Sequence, residues 1–338
     1  MTYSSVAAPE SAAPRPAGAA AGTAAILRSP RRFTVERIHV PEPGPGQVRV
    51  ALEGSGVCAS SLPVWEGRDW FEYPLAPGAP GHEGWGTVDA VGDGVETARV
   101  GMRVAMLSQH AFASHDVADV SHVVALPDSL RDVPFPGEAL GCAFNVFRRS
   151  RIEPLQNVAI VGIGFLGAIL TRLAADAGAR VIAVSRRPFA LDVAGHCGAS
   201  ELVHLDDHTQ VVTSVRDLTG GTGCERVIEA TGLQWPLDVA SELTAERGRL
   251  IIAGYHQDGT RQVNMQLWNW RGLDVVNAHE RDPAEYVRGM SEAVDAVAYG
   301  RLDPSPLYTH RHSPGNLDTA FDMLAVRPDG FLKALVCR

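Results

Sequence analysis

The stretch Val158-Ala159-Ile160-Val161-Gly162-Ile163-Gly164-Phe165-Leu166-Gly167 decides the architecture of this chain. Its apolar start reads as a buried strand, and an apolar pattern of helical period runs from Phe165 to Ala177. Gly162, Gly164 and Gly167 stand between the two. In that context the glycines have separate tasks: a tight turn, close approach of backbone to a pyrophosphate, and packing of helix on strand. The phosphates would rest on amides at the positive end of the helix, with Phe165 and Leu166 in its first turn.

Downstream, strands are expected at 180–184, 226–230, 248–253 and 274–276, with helical segments between them. Such alternation implies an α/β doubly wound parallel sheet with right-handed crossovers. The second strand ends Ala183-Val184-Ser185-Arg186-Arg187. An acid here would accept hydrogen bonds from the adenine ribose; none is present. Two guanidinium groups instead stand where a 2′-phosphate would lie, so the reading favours NADP(H) over NAD(H). The alternative is that Arg186 and Arg187 cap a surface loop or stack on adenine.

Upstream, residues 25–150 alternate short apolar runs with Gly/Pro turns, and strands are expected at 48–52, 86–91 and 103–107. A helix is expected over 284–300, and the last 35 residues read as short strands and turns. Residues 1–22, rich in Ala, Pro and Ser, are expected to be a disordered tail. A β-rich catalytic domain would take 23–150 and 290–338, with the dinucleotide-binding domain at 151–289.

The 338 residues carry a net charge of −9 without a Lys/Arg run, which argues against a nucleic-acid partner. No apolar stretch is long enough to span a bilayer. Five cysteines, at 58, 142, 197, 224 and 337, are scattered, as expected of a reducing cytoplasm rather than a disulfide framework.

Cys58-Ala59-Ser60-Ser61, Gly81-His82-Glu83 and Glu138 supply a thiol, an imidazole and carboxylates, donors that suit Zn²⁺. Gly81-His82-Glu83-x2-Gly86-x5-Gly92-x2-Val95 resembles the zinc-containing alcohol dehydrogenase signature at every defined position. Gly56-Val57-Cys58 with Ser60 is similar to the family's first ligand loop. Glu138, 24 residues before Gly162, is similar to a glutamate of the sorbitol/threonine dehydrogenase-like branch. Segments 223–232, with Thr231 and Gly232, and 330–333 resemble the family's later Rossmann strand and closing strand.

The resemblance implies a GroES-like catalytic domain joined to a Rossmann domain in a medium-chain dehydrogenase/reductase. Cys58, His82 and either Glu83 or Glu138 would hold one catalytic zinc, and Ser60 would pass the alcohol proton towards solvent. Hydride would move between a nicotinamide cofactor and a secondary alcohol, polyol, sugar or cyclitol and its ketone. The chain departs from the family at Ser61, where an Asp commonly supports a metal ligand. It also has no Cys between residues 59 and 141, so no structural zinc is expected. The alternatives are a zinc-free NADPH reductase of enones or quinones and a non-catalytic NADPH-binding protein.

Trp65, Trp70, Phe71 and Tyr73 are candidates for either a substrate wall or the core of the small domain. Cys142 reads as packing behind the site. Asn145, Arg148 and Arg149 fit either polar substrate contacts or solvent. The stretch 264–271, with Trp268 and Trp270, reads as an interface of a homodimer or homotetramer. His279 reads as structural, and His110, His115 and His122 have no ligand spacing.

Overall fold

The structure, a computed structural model, describes residues 21–338. The expected tail lies outside the described residues, except for Ala21 and Gly22, which begin a strand. That strand, β1 (Ala21–Ser29), forms a hairpin with β2 (Arg32–His39). There follow β3 (Gln47–Val57), α1 (Leu62–Glu66), β4 (Glu83–Val91), β5 (Arg103–Met106), β6 (His115–Asp119), β7 (Val123–Ala125) and α2 (Gly137–Ser150).

The alternating segment comprises β8 (Asn157–Val161), α3 (Phe165–Asp176), β9 (Arg180–Ser185), α4 (Pro188–His196), β10 (Glu201–His204), α5 (His208–Leu218) and β11 (Cys224–Glu229). It continues with α6 (Gln234–Leu243), β12 (Thr244–Ile252), α7 (Met265–Arg271) and β13 (Asp274–Asn277). The chain closes with α8 (Pro283–Ala298), β14 (His310–His312), α9 (Leu317–Val326) and β15 (Ala334–Cys337).

Six strands form a parallel Rossmann sheet in the order β10-β9-β8-β11-β12-β13. β8 is buried on both faces: Val158 and Ile160 join one core cluster, Ala159 and Val161 the other. That explains its unbroken apolar run. Strand order reverses between β8 and β11, which opens a crevice at the carboxyl ends of these strands.

A second sheet runs β14-β15-β3-β4-β5-β7, with β6 also paired to β3. Its register brings distant residues together. Gly56 on β3 faces Glu83 on β4, while Val57 faces Ala334 on β15. The end of β3, the start of β4 and the residue before β15 therefore meet at one edge.

The expectation of only strands and turns in the last 35 residues is corrected by α9. Leu317, Ala320, Phe321 and Leu324 are all buried, at helical spacing. Pro314, Gly315 and Pro328 around this stretch obscured the pattern. α9 completes an aromatic core: the Trp65 and Phe321 rings stack at 5.5 Å, and Phe112 meets Phe321 edge-on at 6.1 Å. Trp65 is thus core, and Phe71 and Tyr73 pack against the same cluster. Trp70 is exposed. Replacing Phe321 with Ala should cost about 3–5 kcal/mol, read as a lower urea midpoint, because the cavity opens among rigid rings.

Candidate active site

Where the three strand ends meet, Cys58, His82 and Glu83 offer Sγ, ring nitrogen and carboxylate oxygen atoms within 4.8 Å of one another. Ser60 sits in the turn after Cys58. Its Oγ donates to Cys58 Sγ at 3.2 Å and lies 3.4 Å from His82 Nε2. The His82 ring is oriented from behind, its Nδ1 donating to the Pro80 carbonyl at 3.0 Å. Ser61 Oγ donates to that same carbonyl at 3.4 Å. A backbone oxygen thus orients the imidazole where the family resemblance leads one to look for an aspartate.

Glu83 is fully buried, and Gly56 makes room for it: a Cβ there would come within 1.7 Å of Glu83 Oε2. The carboxylate is already paired. Lys333 Nζ donates to Oε1 at 2.6 Å and lies 2.5 Å from Oε2. Burial opposes the charge on Lys333, but Glu83 and Cys58 outweigh it and raise its pKa. Glu138, in the first turn of α2, is also buried, and the Cys142 thiol donates to its Oε1 at 3.3 Å. Burial raises the Glu138 pKa, with His82 opposing and Glu83 adding to the rise. Two buried carboxyls thus share the site, one neutralised by a lysine and one without its own cation. Thiol, imidazole and carboxyl donors at this separation suit zinc.

A cleft of about 460 Å³ leads away from His82 and Glu138. Its wall is largely apolar surface, to which Gln47, Gln109, Asp119, His122, Glu280 and Arg281 add polar groups. His279 also lines it, its ring stacked on Tyr255 at 5.1 Å. Asn145 and Arg148 have another partner. Arg148 donates to Asn145 Oδ1 and to Glu285 and Glu292 of α8. Arg149 donates to the His279 carbonyl at 3.4 Å. His110 and His115 lie apart from the donor set, against Asp116 and Ser114 respectively. In α7, Trp268 packs on the Rossmann core and its Nε1 donates to Ser241 Oγ, whereas Trp270 is 88% exposed.

At the dinucleotide crevice Gly162 has φ +105°, and a Cβ on Gly167 would come within 2.1 Å of the Gly162 carbonyl oxygen. Gly164 caps α3, with Phe165 and Leu166 starting it. Ser185 is buried at the end of β9, Arg186 is exposed and Arg187 is half-buried. Sequence reading missed Glu229, which is fully buried and holds the opposite wall. Its Oε1 accepts from the amides of Thr231 at 2.6 Å and Gly232 at 3.0 Å. Its Oε2 lies 3.0 Å from His256 Nε2. Lys333 was also missed as a functional side chain. A lone lysine in the apolar run 331–336 was the available signal.

The family pattern described as Alcohol dehydrogenase GroES-like domain matches residues 44–127, and that described as Zinc-binding dehydrogenase matches 166–297. The sorbitol dehydrogenase of Halalkalibacterium halodurans is 23% identical, over 90% of this chain and 95% of that protein. The 2-dehydro-3-deoxy-L-galactonate 5-dehydrogenase of Pseudoalteromonas atlantica is 23% identical, over 90% and 96%. Among solved structures, 2R,3R-butanediol dehydrogenase from Bacillus subtilis superposes with TM-score 0.80 at 23% identity, over 94% of this chain and 99% of that one. A Sinorhizobium meliloti structure bound to NADP gives TM-score 0.81 at 22% identity, over 94% and 100%.

Two measurements test this geometry. Burial lowers the His82 pKa, but the hydrogen bond and charge of Cys58, with Glu138 and Glu83, raise it to about 10. Zinc entering stripped protein must therefore displace a proton. Apparent zinc affinity should climb about tenfold per pH unit between about pH 6.5 and 9, measured against a competing chelator; a flat profile contradicts the arrangement. Separately, Lys333→Met should cost about 3–5 kcal/mol in urea unfolding by stranding Glu83, and adding Glu83→Gln should restore most of the loss.

Proposed function

The chain belongs to the zinc-containing medium-chain alcohol dehydrogenase family, and on that premise we propose how its site works. The protein is an oxidoreductase acting on CH–OH groups. The observation that carries the reading is the meeting of Cys58, His82 and Glu83 within 4.8 Å, with buried Glu138 joining His82 in the wall of a cleft.

In this reading one zinc per chain is held by Cys58, His82 and Glu138. Glu83 is kept out of the ligand set by its ion pair with Lys333. Zinc there makes an alcohol hydroxyl more acidic, and NADP(H) supplies the hydride acceptor or donor. Ser60 accepts the hydroxyl proton and hands it on, a role supported by its position between Cys58 and His82. Pro80 fixes the tautomer of His82, so that Nε2 keeps its lone pair towards the metal. The crevice at Gly162, Gly164 and Gly167 takes the pyrophosphate. Thr231 and Gly232, held by Glu229, border it from the β11 side.

The substrate is a secondary alcohol, polyol, sugar or cyclitol, interconverted with its ketone. Gln47, Gln109, Asp119 and Glu280 in the cleft wall support this, as do relatives named for sorbitol and for a deoxy-galactonate. We extend the reading to a cytoplasmic homodimer or homotetramer with its domains at 23–150 with 290–338 and at 151–289. Five unpaired cysteines and the outward Trp270 support the first part.

Zinc content and turnover on a polyol panel with NADP⁺ test the assignment. The wild type should retain about one zinc and turn over, and Glu138→Gln should weaken zinc retention by about 10–100-fold. Glu83→Gln should keep its zinc; the reverse ranking of the two variants would move the ligand role to Glu83. Ser60→Ala should lower kcat by about 100-fold with NADPH binding unchanged, and an unchanged kcat would remove the relay.

A further inference from the structure

The cleft suits a molecule with an apolar face and a polar edge. Its volume of about 460 Å³ falls in the range of small-molecule sites, and polar groups are set into a largely apolar wall. Leu107, Val117, Ala118 and Pro283 contribute to the apolar part. The His279 imidazole lines the same cleft as His82 and Glu138.

Two loops fix the position of that imidazole. Strands β12 and β13 end level: Ile252 pairs with Asn277, and the Ala278 amide donates to the Ile252 carbonyl at 2.8 Å. The loops that leave them bring Tyr255 against His279, with rings 17° from parallel and centroids 5.1 Å apart. The His279 amide donates to Asn277 Oδ1 at 3.0 Å, and Tyr286 Oη, from α8, donates to the Glu280 carbonyl at 3.1 Å. Behind Tyr255, His256 Nε2 lies 3.0 Å from the buried Glu229, and Arg261 donates to the Gly232 carbonyl at 2.8 Å. Among the described residues, the bonds that fix His279 pass through its main chain. The imidazole itself is left to Tyr255 and to the cleft.

We propose that the stacked Tyr255–His279 pair is a specificity platform that selects a cyclic polyol, a sugar ring or cyclitol, over an open-chain polyol. This selection rests on the alcohol dehydrogenase reading above and narrows its substrate class. A polyhydroxylated ring in its chair form carries hydroxyls mainly around its equator and C–H groups on its two faces. Those hydrogens are slightly positive and meet the negative face of an aromatic ring favourably. The equatorial hydroxyls then reach polar groups at the edge, Gln109 and Glu280 among them. An open chain has no apolar face. Whichever side it lays on the rings and the apolar wall, hydroxyls lose water there without a partner. It also loses more conformational freedom on binding than a ring does.

The test is steady-state kinetics of the full-length zinc-loaded protein, with NADP⁺ and with NAD⁺. The rings are myo-inositol, scyllo-inositol and methyl glucopyranoside; the open chains are sorbitol and galactitol. Myo-inositol and sorbitol carry the same number of carbons and hydroxyls, one closed and one open. The wild type should favour its best ring over its best open chain by about tenfold or more in kcat/KM. His279→Leu and Tyr255→Leu should raise KM for that ring by about three- to tenfold, with a smaller change in kcat, and lower the ring-to-chain ratio accordingly. His279→Phe, which keeps a flat face, should recover most of the ratio. Zinc content and NADPH affinity of each variant check that its fold is intact. A wild type that uses open chains as well as rings, or a ratio unmoved by His279→Leu, overturns the platform and leaves the alcohol dehydrogenase reading standing. A zinc-loaded wild type that binds NADPH yet turns over none of these, nor any simple secondary alcohol, overturns that reading and the platform with it.

Discussion

The buried ion pair between Lys333 and Glu83 is the interaction on which the site depends. Placing two charges in a protein interior is costly unless each meets its partner at close range. Here the partners come from opposite ends of the sequence, 250 residues apart. They meet only because β15 and β4 both flank β3. Correct pairing of the closing strand is therefore a condition for a paired Glu83, and a Glu83 paired with Lys333 leaves Glu138 as the carboxyl without its own lysine or arginine. The electrostatics of the site are thereby tied to the completion of the sheet.

The same logic connects the two sheets. α2 carries Glu138 into the cleft wall that His82 also lines and packs along α8, which follows the last Rossmann strand. Arg187 joins the glycine loop to the turn before β15, close to Lys333. Cofactor crevice and donor set are thus built on common supports. Small displacements of the closing segment would reach both, which is the arrangement that hydride transfer between bound partners requires.

What could be read from the sequence was what depends on local spacing. The strand–glycine–helix order at 158–167 is a pattern of neighbours, and the strand order it implies follows from chirality and short connections. The candidate donors Cys58, His82, Glu83 and Glu138 were visible by residue type and resemblance, with the choice between the two glutamates left open. What escaped depends on register and side-chain direction. Lys333 acquires its role from the antiparallel pairing of Ala334 with Val57. Pro80 acts through a backbone carbonyl, which no residue-type argument reveals. The Arg186–Arg187 pair read as one feature because sequence does not say where a guanidinium donates. α9 was hidden by flanking Pro and Gly, although its four buried positions had helical spacing.

The central claim is that one thiolate, one imidazole and the Glu138 carboxylate hold zinc, while Lys333 withholds Glu83. X-ray absorption at the zinc edge of the purified protein addresses it most directly. The account predicts one sulfur donor, with light nitrogen or oxygen donors completing the shell. Two sulfur donors would bring Cys142 into the shell and contradict it, as would a shell without sulfur.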